Sequence, residues 1–218
     1  MSDTVATRPL TLAIPKGRVA VALAPLLERA GIAAASLLAD DRRLIRQSDD
    51  GSVRFLLLKP DDVPTYVEYG AADLGLSGRD VLLERRYDLY QLLDLGVGVC
   101  RMVVAGPEGT ADLARPRVAT KFPRIATEHF AKKGIQAEVI YVGGSVELAP
   151  LVGLSDVIVD IVESGATLRE NQLEVLEHIA DISTVLVANR SLYKLRHQEV
   201  APLIARLEAA LTGVRAAR

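Results

Sequence analysis

The chain of 218 residues has no tryptophan, one cysteine, two methionines and only 4% aromatic residues. A single cysteine cannot close an internal disulfide, which excludes a stapled scaffold and fits a reducing compartment. Its setting, GVGVCRMVVAG, is apolar, so Cys100 reads as a buried structural thiol and not as a nucleophile. Neither charge sign dominates: 26 basic residues stand against 28 acidic ones, which gives no global reason to expect nucleic acid. No apolar run approaches membrane-spanning length, and the N-terminus lacks a basic segment followed by an apolar one. A soluble cytoplasmic protein is expected. His129, His178 and His197 fall in helix-like stretches without metal-ligand spacing and read as surface residues. Neither a P-loop string nor a Ser-His-Asp or Cys-His arrangement stands out. At this length, with half the residues apolar, the chain can build one large or two small cores.

The richest segment is Glu147 to Leu168, ELAPLVGLSDVIVDIVESGATL. Its centre, Ser155 to Val162, is almost unbroken in apolar and β-branched residues, as in a strand buried on both faces of a parallel sheet. It stops at Ser164-Gly165-Ala166-Thr167, and LRENQLEVLEHI then has helical spacing. A strand–turn–helix junction of this kind offers unpaired backbone N–H groups, hydroxyls and the positive end of a helix dipole to a phosphate. Asp160 and Glu163 beside it would repel a bare phosphate but accept hydrogen bonds from sugar hydroxyls, which points to a ribose phosphate. The plainer alternative is an ordinary capped helix start.

The chain also repeats itself. LTLAIPKGR is a strand ending in Lys16 and Arg18, followed by the helical VAVALAPLLERAGI; RVATKFPR is a strand ending in Lys121 and Arg124, followed by IATEHFAKKGI. Both helices are expected to stop at a glycine, Gly31 and Gly134. The next strands are expected at Arg43–Gln47 and Glu138–Val142. Asp73 leads a strand into Ser77-Gly78, as Asp156 does into Ser164-Gly165. The first half carries an additional hairpin around Asp50-Gly51. Two similar α/β lobes follow: residues 1–97 with 187–218, and residues 98–186. The chain is expected to cross between them at Leu95–Ala105 and Ser183–Asn189. An amphipathic helix, Gln198–Thr212, should return to the first lobe, and a ligand should lie in the cleft between the lobes at the carboxyl ends of strands. Two cations in three residues, Lys16 and Arg18, with Gly17 permitting close approach, suit a polyanion. Lys59, Arg79 and Lys121 are further anion contacts at loop positions.

The spacing Glu147, Gly153, Asp156, Asp160, Ser164-Gly165, Thr167-Leu168 resembles the diagnostic segment of the ATP phosphoribosyltransferases, first enzymes of histidine biosynthesis. PKGR, DVPTYVEYGAADLGLSGRDVL, VATKFP and GGSVELAPL are similar to family blocks in family order. The resemblance implies a fold similar to type II periplasmic binding proteins. It also implies transfer of phosphoribose from phosphoribosyl pyrophosphate (PRPP) to N1 of the adenine of ATP, with release of pyrophosphate. Within it, Ser164, Gly165, Ala166 and Thr167 would hold the 5-phosphate, Asp160 the ribose hydroxyls, and Glu147 would support them; without the pattern Glu147 reads as a first-turn acid. Lys16 and Arg18 would serve catalysis. Arg42 matches a family arginine acting in its own or a neighbouring subunit, against the alternative of a solvated charge run. Adenine N1 carries a free lone pair, so no strong base is needed. Mg²⁺ would be bound mainly through the pyrophosphate oxygens, with no dedicated protein metal site. Serine before Gly165 and arginine at position 79 depart from the commoner threonine and lysine but preserve the chemistry. The length is that of the short form, which implies a homo-oligomer, a hetero-oligomer with a histidyl-tRNA synthetase-like regulatory subunit, and histidine feedback through that partner. The rivals are a non-catalytic two-lobed binding module for an anionic metabolite and phosphoribosyl transfer to another base.

Overall fold

Apolar runs alternate with helical stripes along the chain, and the computed structural model, which describes residues 8–110 and 114–215, turns them into two α/β units. The expectation of no targeting segment falls in part on residues 1–7, which lie outside the described residues. One unit comprises Met1–Val81, Tyr87–Gly98 and Thr184–Arg218, the other Leu82–Arg86 and Val99–Ser183.

The first unit opens with β1 (Leu10–Pro15) and α1 (Arg18–Arg29). Ala20, Leu23, Ala24 and Leu27 recur at i, i+3, i+4 and i+7, so α1 buries one stripe against Leu12, Ile14 and Phe55 of the sheet. Each fully buried leucine there contributes about 2 kcal/mol. Then come β2 (Ile45–Gln47), β3 (Val53–Leu58), α2 (Val63–Glu68), β4 (Leu74–Gly78), α3 (Arg79–Glu84), of which Leu82–Glu84 belong to the second unit, and β5 (Leu89–Asp94). β2 and β3 form the expected hairpin, with Gly51 in the left-handed region at the turn. Gly75, in mid-β4, lets α2 lie close to the sheet: a Cβ there would stand 2.6 Å from Val67 Cγ2 and 2.9 Å from Val63 Cγ1. Gly75→Ala is therefore expected to overpack this contact and cost about 2 kcal/mol, read as a lowered urea midpoint. An unchanged midpoint would mean that α2 shifts at no cost.

Of the stretch Leu95–Ala105, expected as one strand, only Cys100–Ala105 is strand. β5 ends at Asp94, Gly96 and Gly98 take positive φ (60° and 63°), and β6 (Cys100–Pro107) starts only afterwards. The second unit continues with β7 (Arg117–Thr120), α4 (Pro123–Lys132), β8 (Glu138–Tyr141), α5 (Leu148–Leu151), β9 (Val157–Val162), α6 (Ala166–Glu170) and β10 (Leu173–Ile182). β9 is buried on both faces, Val157 and Val159 against Phe122 and Phe130, and Ile158 and Val162 against Val146, Ala149 and Leu168. Its sheet is mixed and not purely parallel, because β6 runs antiparallel beside it. The helix expected through LEVLEHI stops at Glu170. Gln172 adopts φ 57°, and Leu173–Ile182 pairs antiparallel with β6. Cross-strand pairing decides a spacing that both periods accommodate.

The chain re-enters the first unit with β11 (Thr184–Asn189), α7 (Arg190–Leu195) and α8 (His197–Arg215), whose Val200, Leu203 and Leu207 join the core beneath α1. The sheet orders are β2-β3-β1-β4-β11-β5 and β10-β6-β9-β7-β8. Reversing the second and dropping β2 makes the two match strand for strand, with the same relative directions. The counterpart of β8 is thus β3 and not β2, the strand expected from position alone.

The repeat extends to single hydrogen bonds. Thr11 N–H donates to Asp73 Oδ2 at 2.8 Å and Asp73 N–H to Thr11 O at 2.9 Å. Arg117 N–H donates to Asp156 Oδ2 at 2.8 Å and Asp156 N–H to Arg117 O at 2.9 Å. The Arg117 guanidinium, then its N–H, hold the Asp156 carboxyl below the usual carboxylate range. Both glycine stops are Schellman turns: Ile32 N–H bonds Leu27 O at 2.9 Å and Ile135 N–H bonds Phe130 O at 3.0 Å, with Gly31 and Gly134 at positive φ.

Candidate active site

The carboxyl ends of β3, β1 and β4 form one edge of the first sheet, and basic residues gather there. Pro15 pairs with Leu58, and Lys16 N–H donates to Leu58 O at 2.8 Å, which sets Lys16 and Lys59 on neighbouring strand ends. Gly17 takes φ 82°, ψ −143°, a conformation suited to glycine, and delivers exposed Arg18 as the first residue of α1. Arg79 opens α3 after β4; its Nη2 bonds Asp94 Oδ2 at 2.9 Å, while its buried Nε has no hydrogen-bond partner. Arg42 lies on the segment leading into β2. Leu57 N–H donates to Leu44 O at 2.8 Å, extending the β2–β3 pairing and directing this segment to the same edge. The charge run DDRRLIR divides in role. Arg43 pairs with Asp41, and the buried Arg46 guanidinium donates to the carbonyls of Ser36, Ala39 (2.9 Å) and Asp41 (3.2 Å), while Arg42 is exposed. Arg46 as the organiser of this loop was not foreseeable from the run itself.

In the second unit the carboxyl ends of β8, β7 and β9 form the corresponding edge. Thr120 latches β7 to β9, its hydroxyl donating to Val159 O at 2.6 Å and accepting from Phe122 N–H at 2.8 Å. Lys121 sits between these latched residues. After β8, Gly143, Gly144 and Ser145 (φ 49°) turn the chain into α5, which Val146 and Ala149 anchor on the sheet. Glu147 occupies the N-cap position of α5, and its side chain makes no capping hydrogen bond there. Asp160 alternates with Ile158 and Val162 and therefore faces the side covered by α5 and α6; its Oδ1 also accepts from Ile161 N–H at 2.8 Å.

β9 then gives way to exposed Glu163 and Ser164, and to Gly165 at φ 74°, ψ 8°. Ser164 Oγ accepts from Ala166 N–H at 3.3 Å, and Arg169 Nη1 donates to Ser164 O at 3.2 Å. Thr167 is exposed in the first turn of α6. A helix of only five residues supplies little dipole, so first-turn N–H groups and hydroxyls, not the macrodipole, are what this turn offers an anion. Arg169 was not among the expected site residues; its position one turn into the helix, facing back to Ser164, was the available signal. Arg124, at the end of the second strand repeat, serves structure: Glu84 accepts from its N–H at 2.9 Å, and its Nη1 bonds Glu128 at 2.5 Å. His129 and Lys133 both bond Glu177, and His178 stands on strand β10, not on a helix, beside Asp181. Among the described residues, no three His, Cys, Asp or Glu side chains group to hold a metal ion, and no helix is long and apolar enough to cross a membrane.

Residues 59–209 match the family model described as ATP phosphoribosyltransferase. The enzyme of that name from Sorangium cellulosum is 64% identical over 207 residues, 95% of this chain and 98% of that relative. The chain belongs to the ATP phosphoribosyltransferase family. The family member from Caldanaerobacter subterraneus subsp. tengcongensis is 49% identical over 94% of this chain and 98% of its own length, so these relatives share the chain's length as well as its sequence. Among solved structures, the ATP phosphoribosyl transferase (HisG:HisZ) complex from Thermotoga maritima contains a chain with TM-score 0.80 and 38% identity, covering 94% of this chain and 99% of that one. The periplasmic aliphatic sulphonate binding protein from Escherichia coli matches at TM-score 0.61 and 16% identity over 97% of this chain and 75% of that one. This second likeness is one of fold alone. The α/β architecture of this ATP phosphoribosyltransferase family member is therefore of the periplasmic-binding-protein type.

Proposed function

We propose that the chain transfers phosphoribose from PRPP to N1 of the adenine of ATP, the first step of histidine biosynthesis, in the cytoplasm. The observation that carries the reading is the Ser164–Thr167 turn, where hydroxyls and helix-start N–H groups collect at the end of β9, the strand that bears Asp160. In the reaction, the N1 lone pair forms a bond to ribose C1 while the bond from C1 to pyrophosphate oxygen breaks. Pyrophosphate leaves with the electron pair. Because N1 is unprotonated at neutral pH, no general base is required, and orientation with leaving-group stabilisation carries the rate.

Ser164, Gly165, Ala166 and Thr167 bind the 5-phosphate through hydroxyls and N–H groups. Asp160 accepts hydrogen bonds from the ribose diol, with Glu147 and Glu163 supporting it, since paired carboxylate oxygens suit vicinal hydroxyls. Lys16 and Arg18 stabilise the negative charge that grows on pyrophosphate. Arg42 assists, from its own or a neighbouring subunit, and Lys59, Arg79 and Lys121 are supporting anion contacts. The cationic donor set at the first sheet's edge fits Mg²⁺ carried by pyrophosphate oxygens better than an ion bound by protein ligands. When bound, Mg²⁺ neutralises leaving-group charge. The chain acts as a homo-oligomer joined to a regulatory subunit similar to histidyl-tRNA synthetase, through which histidine feedback is exerted; the likeness to a chain of the HisG:HisZ complex from Thermotoga maritima supports a two-component assembly.

Pyrophosphate release by the purified chain, with PRPP and Mg²⁺, is expected to require ATP and to yield a phosphoribosylated ATP by mass. Release with another base instead would reassign the acceptor. Silence with every acceptor, persisting after the synthetase-like partner is added, would indicate a binding module. Thr167→Ala should raise the KM for PRPP about tenfold, the effect of one lost hydrogen bond to a charged group, with kcat changed little. An unchanged KM would remove Thr167 from the phosphate site.

A further inference from the structure

The guanidinium of Arg169 reaches back over the turn that precedes its own helix. Its Nη1 donates to the Ser164 carbonyl at 3.2 Å, and the same nitrogen is the nearest atom, at 3.2 Å, to where a Cβ on Gly165 would stand. The backbone of Arg169 is fixed in turn, since Gln172 N–H donates to Arg169 O at 3.1 Å where α6 ends. Leu168, beside it, is buried against the sheet, so α6 is a seated platform for the side chain.

A trans peptide is planar, with its C=O and N–H pointing in opposite directions. Whatever holds the Ser164 oxygen therefore also aims the Gly165 N–H, to the side away from Arg169. The contact also draws the partial negative charge of that carbonyl onto a cation, removing an oxygen that would otherwise be free to rotate towards a bound anion.

We infer that Arg169 is a positioning residue for the 5-phosphate of PRPP. It locks the Ser164–Gly165 peptide with the Gly165 N–H presented to the phosphate, so the turn is already ordered when the ligand arrives. The inference rests on the reading of Ser164–Thr167 as the phosphate turn and adds to it a residue that need not touch the ligand.

The test is calorimetric binding of two probes, ribose 5-phosphate and pyrophosphate, to the full chain and its variants. Arg169→Met is expected to bind ribose 5-phosphate about tenfold more weakly, as for one lost hydrogen bond involving a charged group, with pyrophosphate affinity and Tm unchanged. Arg169→Lys, which retains the charge but not the planar fork, should fall between. An unaltered ribose 5-phosphate affinity in Arg169→Met overturns the inference and leaves the phosphate turn standing. Equal weakening of both probes also overturns it, since that marks a general structural role. No binding of ribose 5-phosphate by the unmodified chain overturns the phosphate turn together with the inference. Should Arg169→Met not fold, the same comparison in Arg169→Lys decides: selective weakening supports the positioning role, and unchanged affinities exclude it.

Discussion

Arg18→Ala is expected to lower kcat about 100-fold, the effect of losing one preorganised charge contact to a transition state, while leaving the fold intact. The side chain is exposed at the first position of α1, so its truncation opens no cavity in the core, which begins further along at Ala20 and Leu23. What it removes is a guanidinium placed by the glycine-dependent backbone of Gly17, two residues after Lys16, whose strand end neighbours that of Lys59. Pyrophosphate gains negative charge as the bond to ribose C1 breaks, so a contact there is stronger in the transition state than in the bound substrate. Arg18→Lys should recover part of the loss, because an ammonium restores the charge without the bidentate fork. Steady-state kinetics with unchanged thermal melting checks both variants. A normal kcat with only PRPP binding weakened would show that Arg18 holds ground state and transition state alike, and would shift the leaving-group role to Lys16 or Arg42.

Asp73→Ala is expected to destabilise the first unit by about 4 kcal/mol, in the range for breaking a buried ion pair from one side. The Asp73 side chain is 1% exposed and accepts from Arg8 Nη2 (2.7 Å) and Nη1 (3.0 Å), Arg196 Nη1 (2.9 Å) and Thr11 N–H (2.8 Å). Arg196, itself 11% exposed, stands between α7 and α8 and also donates to Arg8 O at 2.7 Å. Loss of the carboxylate leaves a buried strand N–H without its acceptor and takes from the nearly buried Arg196 guanidinium one of its two carboxylate partners, Glu199 remaining, which loosens the attachment of the C-terminal helix. Asp73→Asn should cost less, since the amide oxygen can still accept from Thr11 N–H. Asp156→Ala should be milder as well, because both members of its pair with Arg117 are more open to water. Urea unfolding of the three variants orders them; equal, small losses would mean that water replaces the carboxylate in the Asp73 cluster.

Much of the fold was legible because strand and helix periods differ and because glycine marks where a chain needs positive φ. The runs LTLAIP and SDVIVDIV, the stripe of α1, the hairpin at Asp50-Gly51 and the glycine stops at Gly31 and Gly134 all carry that information locally. LEVLEHI was not legible in the same way. Its apolar residues fit both a helix stripe and an irregular strand, and its pairing with β6 lies some seventy residues away in sequence. Glycines at 96 and 98 looked like part of a strand, since a sequence does not display the sign of φ. The site shows the same division: a turn such as Ser164–Thr167 is a local string, whereas the partners of Arg46, Arg79 and Arg169 depend on where distant or folded-back atoms come to rest.

By itself, then, the sequence determined the element types where one period excludes the other, the internal repeat, the family, and the identities of the polar and charged groups at the strand ends. Tertiary structure alone decided that β8 answers to β3 and not to β2, that Asp73 and Asp156 perform the same latch in both units, and that Arg46 and Arg124 support structure. The physical reason is one of range. Propensity, capping and turn geometry act over a few residues, but a strand's neighbour and a buried charge's partner are fixed by packing between segments far apart in the chain, where register and desolvation select one arrangement.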